Sequence, residues 1–200
     1  SGCGAIGEKS ESLRSVYGIL AAISFVLLVC YILLAKPRKL WFLVLFASVF
    51  VVNTGYFWLS MATSLDSALM ANRLSYLGSV FLPLSMLMII LNVIGIHPRK
   101  TSSMTLVGLS IAVFLLAASY PWLDWYYTDA ALHTVAGAAH LDKEYGALHS
   151  VYLFYLFGYF AAMIAVSIYA AVKKRLQTPI RTVVLCSAVF INIGVWLVEP

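Results

Sequence analysis

The sequence predicts an all-α fold, a polytopic membrane helix bundle of six transmembrane helices with its N-terminus outside. Of the 200 residues, 62% are hydrophobic and 10% are charged, whereas soluble domains carry about a quarter charged residues. The mean hydropathy is +0.94, and six apolar stretches are long enough to cross a bilayer. Nine of the 13 Lys and Arg residues lie in three short loops, a distribution typical of cytoplasmic loops.

The charge distribution also predicts the orientation. Alternation from an outside N-terminus places the basic loops 36–39, 97–100 and 173–181 in the cytoplasm. The long loop 121–145 is then outside; its charges are four carboxylates and Lys143. Its aromatic residues are expected at the membrane interface; they are Trp122, Trp125, Tyr126 and Tyr127. The net charge of +5 follows from this topology and does not indicate a nucleic-acid partner.

The first two spans are residues 15–35 and 40–61. Residues 1–14 are polar and predict a short, loosely ordered extracytoplasmic arm. The basic cluster follows the first span instead of preceding it, so this span is expected to be retained and not cleaved as a signal peptide.

The third span, residues 72–96, organises the rest, because no charged residue lies between Arg73 and Arg99. Pro83 removes one backbone hydrogen bond at mid-span. Small or polar residues at helical spacing predict a face that packs against other helices; they are Ser75, Gly78, Ser85 and Asn92.

The remaining spans are residues 104–120, 146–172 and 182–198, so that 15–200 form one transmembrane domain.

The three cysteines have no metal or disulfide spacing. His133, His140 and Glu144 would align on a helix, but no metal motif accompanies them. We therefore predict no metal, no cofactor and no catalytic residue in this chain.

Polar residues converge in the outer halves of four spans. Because such groups are costly against lipid, we expect them to line one outward-facing cavity. The candidate ligand-binding residues are Asn53, Tyr56, Arg73, Tyr76, His149, Tyr152, Asn192 and Trp196. Arg73 would favour a small polar or anionic ligand, and it is also expected to pair with Glu199. The alternative is that the aromatic residues are interface anchors and the asparagines join helices.

The third span also carries a family resemblance. The run from Asn72 to Gly78, with Pro83 five residues later, resembles the third helix of the N-terminal seven-transmembrane sensor region of bacterial histidine kinases. Tyr145-Gly146 and the Asn192, Trp196, Glu199 series extend the resemblance over about residues 15–200. It implies a sensory input module that is not itself an enzyme and acts on a cytoplasmic kinase or other output domain. The seventh helix and the kinase domain have no counterpart here, so a fragment is expected.

Two other functions stay open at this point. A small transporter or channel subunit would require a polar path to the inner face, and the inner halves of the spans are poor in polar residues. An intramembrane scaffold without a ligand would use the same polar groups only to join helices. The expected partners are the lipid bilayer of the inner cell membrane, an unknown small extracellular or membrane ligand, the output domain, and a second copy in a homodimer.

Overall fold

The computed structural model describes residues 2–135 and 138–173, with side chains from residue 14 onward except at 134, 135 and 138. These residues form five helices and one β-hairpin. The elements are α1 (Gly2–Leu34), α2 (Leu40–Ser60), α3 (Leu65–Val93), α4 (Lys100–Ala117), β1 (Tyr127–Val135), β2 (Ala138–Tyr145) and α5 (His149–Val172). All five helices contain a segment long and apolar enough to cross a membrane. The helical membrane architecture is confirmed to that extent.

Helix α3 is the centre of the described bundle, as the sequence predicted. It is the most buried of the five candidate spans and contacts α2, α4 and α5. Its apolar side chains form the main core with α4 and α5, and that core includes Leu84, Met88, Val113, Leu156 and Met163. Few side chains in the apolar windows of the other four helices are fully buried, as expected for helices that face lipid.

The contact between α2 and α3 depends on glycine. A Cβ on Gly55 would lie 2.6 Å from the backbone nitrogen of Ser75, and a Cβ on Gly78 would lie 2.5 Å from the carbonyl oxygen of Ser48. Ser75, Gly78 and Ser85 are all buried, so the predicted small-residue face of α3 does pack against neighbouring helices. Asn92, the fourth predicted member, is only partly buried.

The ends of α3 differ from the predicted span because specific caps set them. Ser64 is the N-cap, and its side chain accepts a hydrogen bond from the backbone of Ser67 at 3.3 Å. At the other end Gly95 has a φ of 75°, and the backbone nitrogen of Ile96 donates to the carbonyl of Leu91 at 2.9 Å. This is a Schellman ending, so the helix runs over Leu65–Val93 and not 72–96.

The hairpin corrects the all-α prediction. Residues 121–145 were expected to be a loop, but β1 and β2 pair antiparallel within it, with His133 opposite His140. Side chains alternate on a strand, so Ala130, Leu132 and Leu141 face the helices and pack near Leu69. The acidic residues and both histidines are exposed on the other face. The helical alignment considered for His133, His140 and Glu144 is therefore wrong.

Three other boundaries change or stay open. The backbone of α1 is helical from Gly2, so the loosely ordered arm predicted for residues 1–14 is not observed. Helix α4 begins four residues before the predicted 104–120 span begins, and it ends three residues before that span ends. The sixth predicted span, 182–198, lies outside the described residues.

Candidate functional site

The hairpin is joined to α3 by a group of tyrosines. Tyr126 and Tyr127 are 0% and 1% exposed, and their hydroxyls donate to the hydroxyl oxygen of Tyr76 at 3.3 and 2.9 Å. The ring of Tyr76 also contacts the ring of Tyr152 on α5, with centroids 5.3 Å apart. Tyr126 and Tyr127 thus pack inside the protein, whereas Trp122 and Trp125 are exposed; the position of all four at the membrane interface stays a prediction.

The backbone at the base of the hairpin holds these tyrosines in place. The nitrogen of Gly146 donates to the carbonyl of Tyr126 at 2.9 Å. A Cβ on Gly146 would lie 2.5 Å from the carbonyl oxygen of Trp125, so only glycine fits this close approach. A register irregularity at Thr128 inserts one residue between Tyr127 and Ala130, which lets both face the helices.

Lys143 adds a charge to the inner face of the hairpin. Its ammonium nitrogen donates to Oδ1 of Asn72 at 3.0 Å and lies 5.9 and 5.7 Å from the ring centroids of Tyr76 and Tyr127. Asn72 is 5% exposed, and its amide nitrogen approaches the Tyr127 hydroxyl at 3.5 Å. A half-buried ammonium needs such partners to offset lost hydration. We call Asn72, Tyr76 and Tyr127 the ammonium cage.

The tyrosines of the hairpin stay protonated in the folded protein. Burial raises the pKa of Tyr126 and of Tyr127 far above the usual value, with the neighbouring Tyr76 adding to the effect. Burial also raises the pKa of Tyr145. A neutral phenol both donates and accepts a hydrogen bond, so the contacts among these hydroxyls persist across the physiological pH range.

His149 lies beside the cage at the start of α5. Its ring packs on Tyr145, with centroids 3.8 Å apart, and on Tyr126 at 5.3 Å. Its Nδ1 is buried and has no hydrogen-bond partner among the described residues. Three predicted site residues, Tyr76, His149 and Tyr152, are therefore brought together at the hairpin.

Arg73 lies near this group but points to another element. Its guanidinium donates to the carbonyl of Tyr120 and stacks over the ring of Trp122, 4.4 Å from the centroid. Both partners belong to the connection between α4 and β1. The guanidinium is thus engaged with the protein itself. Its predicted partner Glu199 lies outside the described residues.

Asn53 and Tyr56 face α1. The amide of Asn53 donates to the carbonyl of Leu20 at 3.5 Å, and the ring of Tyr56 stacks on Tyr17 with centroids 5.9 Å apart. These contacts join helices, which was the alternative role considered for Asn53. Asn192 and Trp196 lie outside the described residues.

A second polar contact lies deeper in the core, below the cage. The hydroxyl of Tyr155 donates to the carbonyl of Val80 and is 2.7 Å from the Ser110 hydroxyl. Three helices thus meet at the Tyr155 hydroxyl. On α3 the contact is at Val80, three residues before Pro83. Tyr152 stacks near Tyr155, with ring centroids 6.4 Å apart. An aromatic series therefore connects the cage to the centre of α3.

Sequence reasoning missed Lys143 and the hairpin tyrosines as site residues. Lys143 was visible as the one basic residue in an acidic loop. The alternation of Ala139, Leu141 and Lys143 with polar residues also fits a strand whose inner face carries the lysine. Both signals are weaker than the interface preference of tyrosine, which dominated the prediction.

Comparison with known proteins supports the family resemblance. The family model for the N-terminal 7TM region of histidine kinase matches residues 17–199. Comparisons with curated proteins and with solved structures give no significant match. The family is a sensory membrane region and not a catalytic domain. Because the match covers most of the sequence, the chain belongs to the family of N-terminal seven-transmembrane regions of histidine kinases.

Proposed function

We propose that this chain is the sensory input module of a membrane histidine kinase, in which a small polar ligand at the hairpin alters helix packing. The observation that carries the proposal is the contact of Tyr126, Tyr127 and Lys143 with α3. A hairpin that the charge distribution predicts to lie outside the membrane is thereby attached to α3, which contacts α2, α4 and α5. The region would lie in the inner membrane with its hairpin outside.

The proposed mechanism is a shift between two packings. A ligand that favours a released hairpin would withdraw hydrogen bonds from Tyr76 and Asn72. Tyr76 contacts Tyr152, and Tyr152 leads to the Tyr155 contact near Pro83. Such a ligand shifts the equilibrium only by its difference in affinity for the two packings. The change would reach the output domain through the inner ends of the helices.

The proposed ligand site combines the predicted residues with those found in the structure. Tyr76, His149 and Tyr152 would contact the ligand together with Asn72, at the place where the ammonium of Lys143 lies in this structure. Arg73 would act indirectly, through its contacts with Tyr120 and Trp122 in the connection between α4 and β1. Asn192 and Trp196 are kept as candidate contacts from the sixth predicted span. Asn53 and Tyr56 would contribute indirectly, through the packing of α2 on α1.

The test measures output when the hairpin contact is weakened. Lys143→Met keeps most of the side-chain volume but removes the ammonium. In membranes carrying the chain with its kinase domain, this change should alter autophosphorylation at least threefold. Asp142→Asn is the matched control, because Asp142 is on the exposed face of the same strand. An unchanged rate, with the hairpin shown to be released, would contradict the proposal.

The second candidate is an intramembrane scaffold. It is favoured by the fact that the polar groups at the cage bond to one another, as helix-joining groups would. In that case weakening the hairpin would lower stability and leave the output unchanged. The same experiment therefore separates the two functions.

Orientation has its own test. With Cys3 replaced by serine, Asp129→Cys should react with a membrane-impermeant thiol reagent added from outside, and Lys100→Cys should not. The reason is the concentration of basic residues in the predicted cytoplasmic loops. Labelling at position 100 and not at 129 would reverse the proposed topology.

A further inference from the structure

The ammonium cage has the chemistry of a site for organic cations. Tyr76 and Tyr127 place two rings within 6 Å of a positive charge, the range in which a ring face attracts a cation. Asn72 adds a carbonyl oxygen at 3.0 Å. Proteins recognise primary and quaternary ammonium groups with such aromatic surroundings. In this structure the cation is the side chain of Lys143.

The position of Lys143 makes it a tethered occupant. The other described residues on the inner face of the hairpin carry no charge; Ala130, Leu132 and Leu141 are small or apolar, and Tyr127 contributes a neutral hydroxyl. The ammonium is thus the charged group through which β2 holds α3. A cation that replaced it would remove from β2 the hydrogen bond to Asn72 and the contact with the Tyr76 ring on α3, while Tyr127 of β1 would stay bonded to Tyr76.

Charges near the cage favour a cationic ligand over an anionic one. The outer face of the hairpin exposes Asp129, Asp142 and Glu144, which attract cations and repel anions. The guanidinium that suggested an anion, on Arg73, is engaged by Tyr120 and Trp122. The electrostatics of the described hairpin therefore match an amine.

We infer that the cage formed by Asn72, Tyr76 and Tyr127 binds a small organic ammonium ion, which displaces the ammonium of Lys143 and releases β2 from its contact with α3. The inference rests on the proposed sensory function and names its ligand class. A tethered group competes at an effective concentration in about the millimolar range. The native chain should therefore bind amines weakly, and removal of the tethered ammonium should strengthen binding.

The experiment is calorimetric titration of the purified chain with tetramethylammonium and ethylammonium. Lys143→Met should lower the apparent Kd for both about tenfold or more, because the cage no longer holds its own cation. Lys100→Met is the matched control, since Lys100 is exposed and lies at the start of α4; it should leave Kd unchanged. Acetate, phosphate and the neutral tert-butanol should show no such gain.

A second variant protects the test against misfolding. Adding Asn72→Asp to Lys143→Met places a carboxylate at the cage, and should tighten ammonium binding a further severalfold. A gain of affinity cannot result from loss of structure. If the folded Lys143→Met chain binds neither ammonium probe, or binds acetate or phosphate more tightly, the inference is wrong. The sensory proposal would survive that result, since it fails only if release of the hairpin leaves autophosphorylation unchanged.

Discussion

The hairpin contact and the core around α3 are held by different forces. In the core, Leu84, Met88 and Met163 are almost fully buried, and α2 approaches α3 closely at Gly55 and Gly78. Packing of this kind tolerates little displacement. At the hairpin, hydrogen bonds and cation–ring contacts add to the apolar packing of the strands on the helices, and a similar group from a ligand can replace these polar contacts. The difference suggests a fixed framework that carries an exchangeable contact.

The largest effect is expected in the framework, where Gly55→Ala would force a Cβ against the backbone of Ser75. Overpacking costs about 1–3 kcal/mol and occasionally more, and the upper end is expected here because the obstacle is backbone. Thermal unfolding in detergent measures it. Gly108→Ala is the control, because a Cβ there meets nothing within 4 Å. Equal melting temperatures for the two variants would show that α2 does not pack on α3 in this way.

The same substitution at the hairpin should act locally. In Gly146→Ala the new Cβ would meet the carbonyl of Trp125, so the base of the hairpin must open at a cost of about 1–3 kcal/mol. Limited proteolysis should then cut within residues 127–145 while the melting temperature of the helices changes little. Gly158→Ala, another site with open space around a Cβ, serves as the control. A loss of global stability as large as that of Gly55→Ala would remove the distinction between the two regions.

A smaller effect is expected where a polar contact lies inside the core. Tyr155→Phe removes a hydroxyl that bonds Val80 and Ser110, and should cost about 1 kcal/mol of unfolding free energy. Tyr159→Phe removes a buried hydroxyl that has no hydrogen-bond partner among the described residues, and should be neutral or slightly stabilising. Chemical unfolding of both variants measures the difference. Equal effects would mean that the Tyr155 hydroxyl does not join the three helices.

The predicted ion pair of Arg73 with Glu199 should give the smallest effect. Because the guanidinium already contacts Tyr120 and Trp122, we expect a carboxylate partner to add little, about 0–1 kcal/mol. A double-mutant cycle of Arg73→Gln and Glu199→Gln on thermal stability measures the coupling. Additive changes would show that the two residues do not interact.

The framework could be predicted from the sequence because long apolar stretches determine it. The second span was predicted as 40–61, and α2 is Leu40–Ser60. The ends of α3 were missed because they depend on the Ser64 cap and on Gly95. The start of α3 therefore lay seven residues before the predicted one.

The hairpin was missed for a different reason. Its strands are mixed in polarity, and a two-stranded hairpin is marginally stable by itself, so the pairing becomes favourable only when Ala130 and Leu141 pack on the helices. Tertiary contacts of that kind are not encoded in a local pattern. Tyr76, His149 and Tyr152 could be predicted from helical spacing, whereas Lys143 required knowledge of the strand register.

The most direct test of the exchangeable contact is hydrogen–deuterium exchange of the chain in lipid nanodiscs, with and without Lys143→Met. A hydrogen bond to a charged group contributes about 1.5–3 kcal/mol, so exchange in residues 127–145 should accelerate about tenfold or more. Exchange around Leu84 and Met88 should stay unchanged, as should the whole pattern in Lys100→Met. If amide exchange accelerates in both the hairpin and the core, or in neither, Lys143 does not form a separable contact between the hairpin and α3.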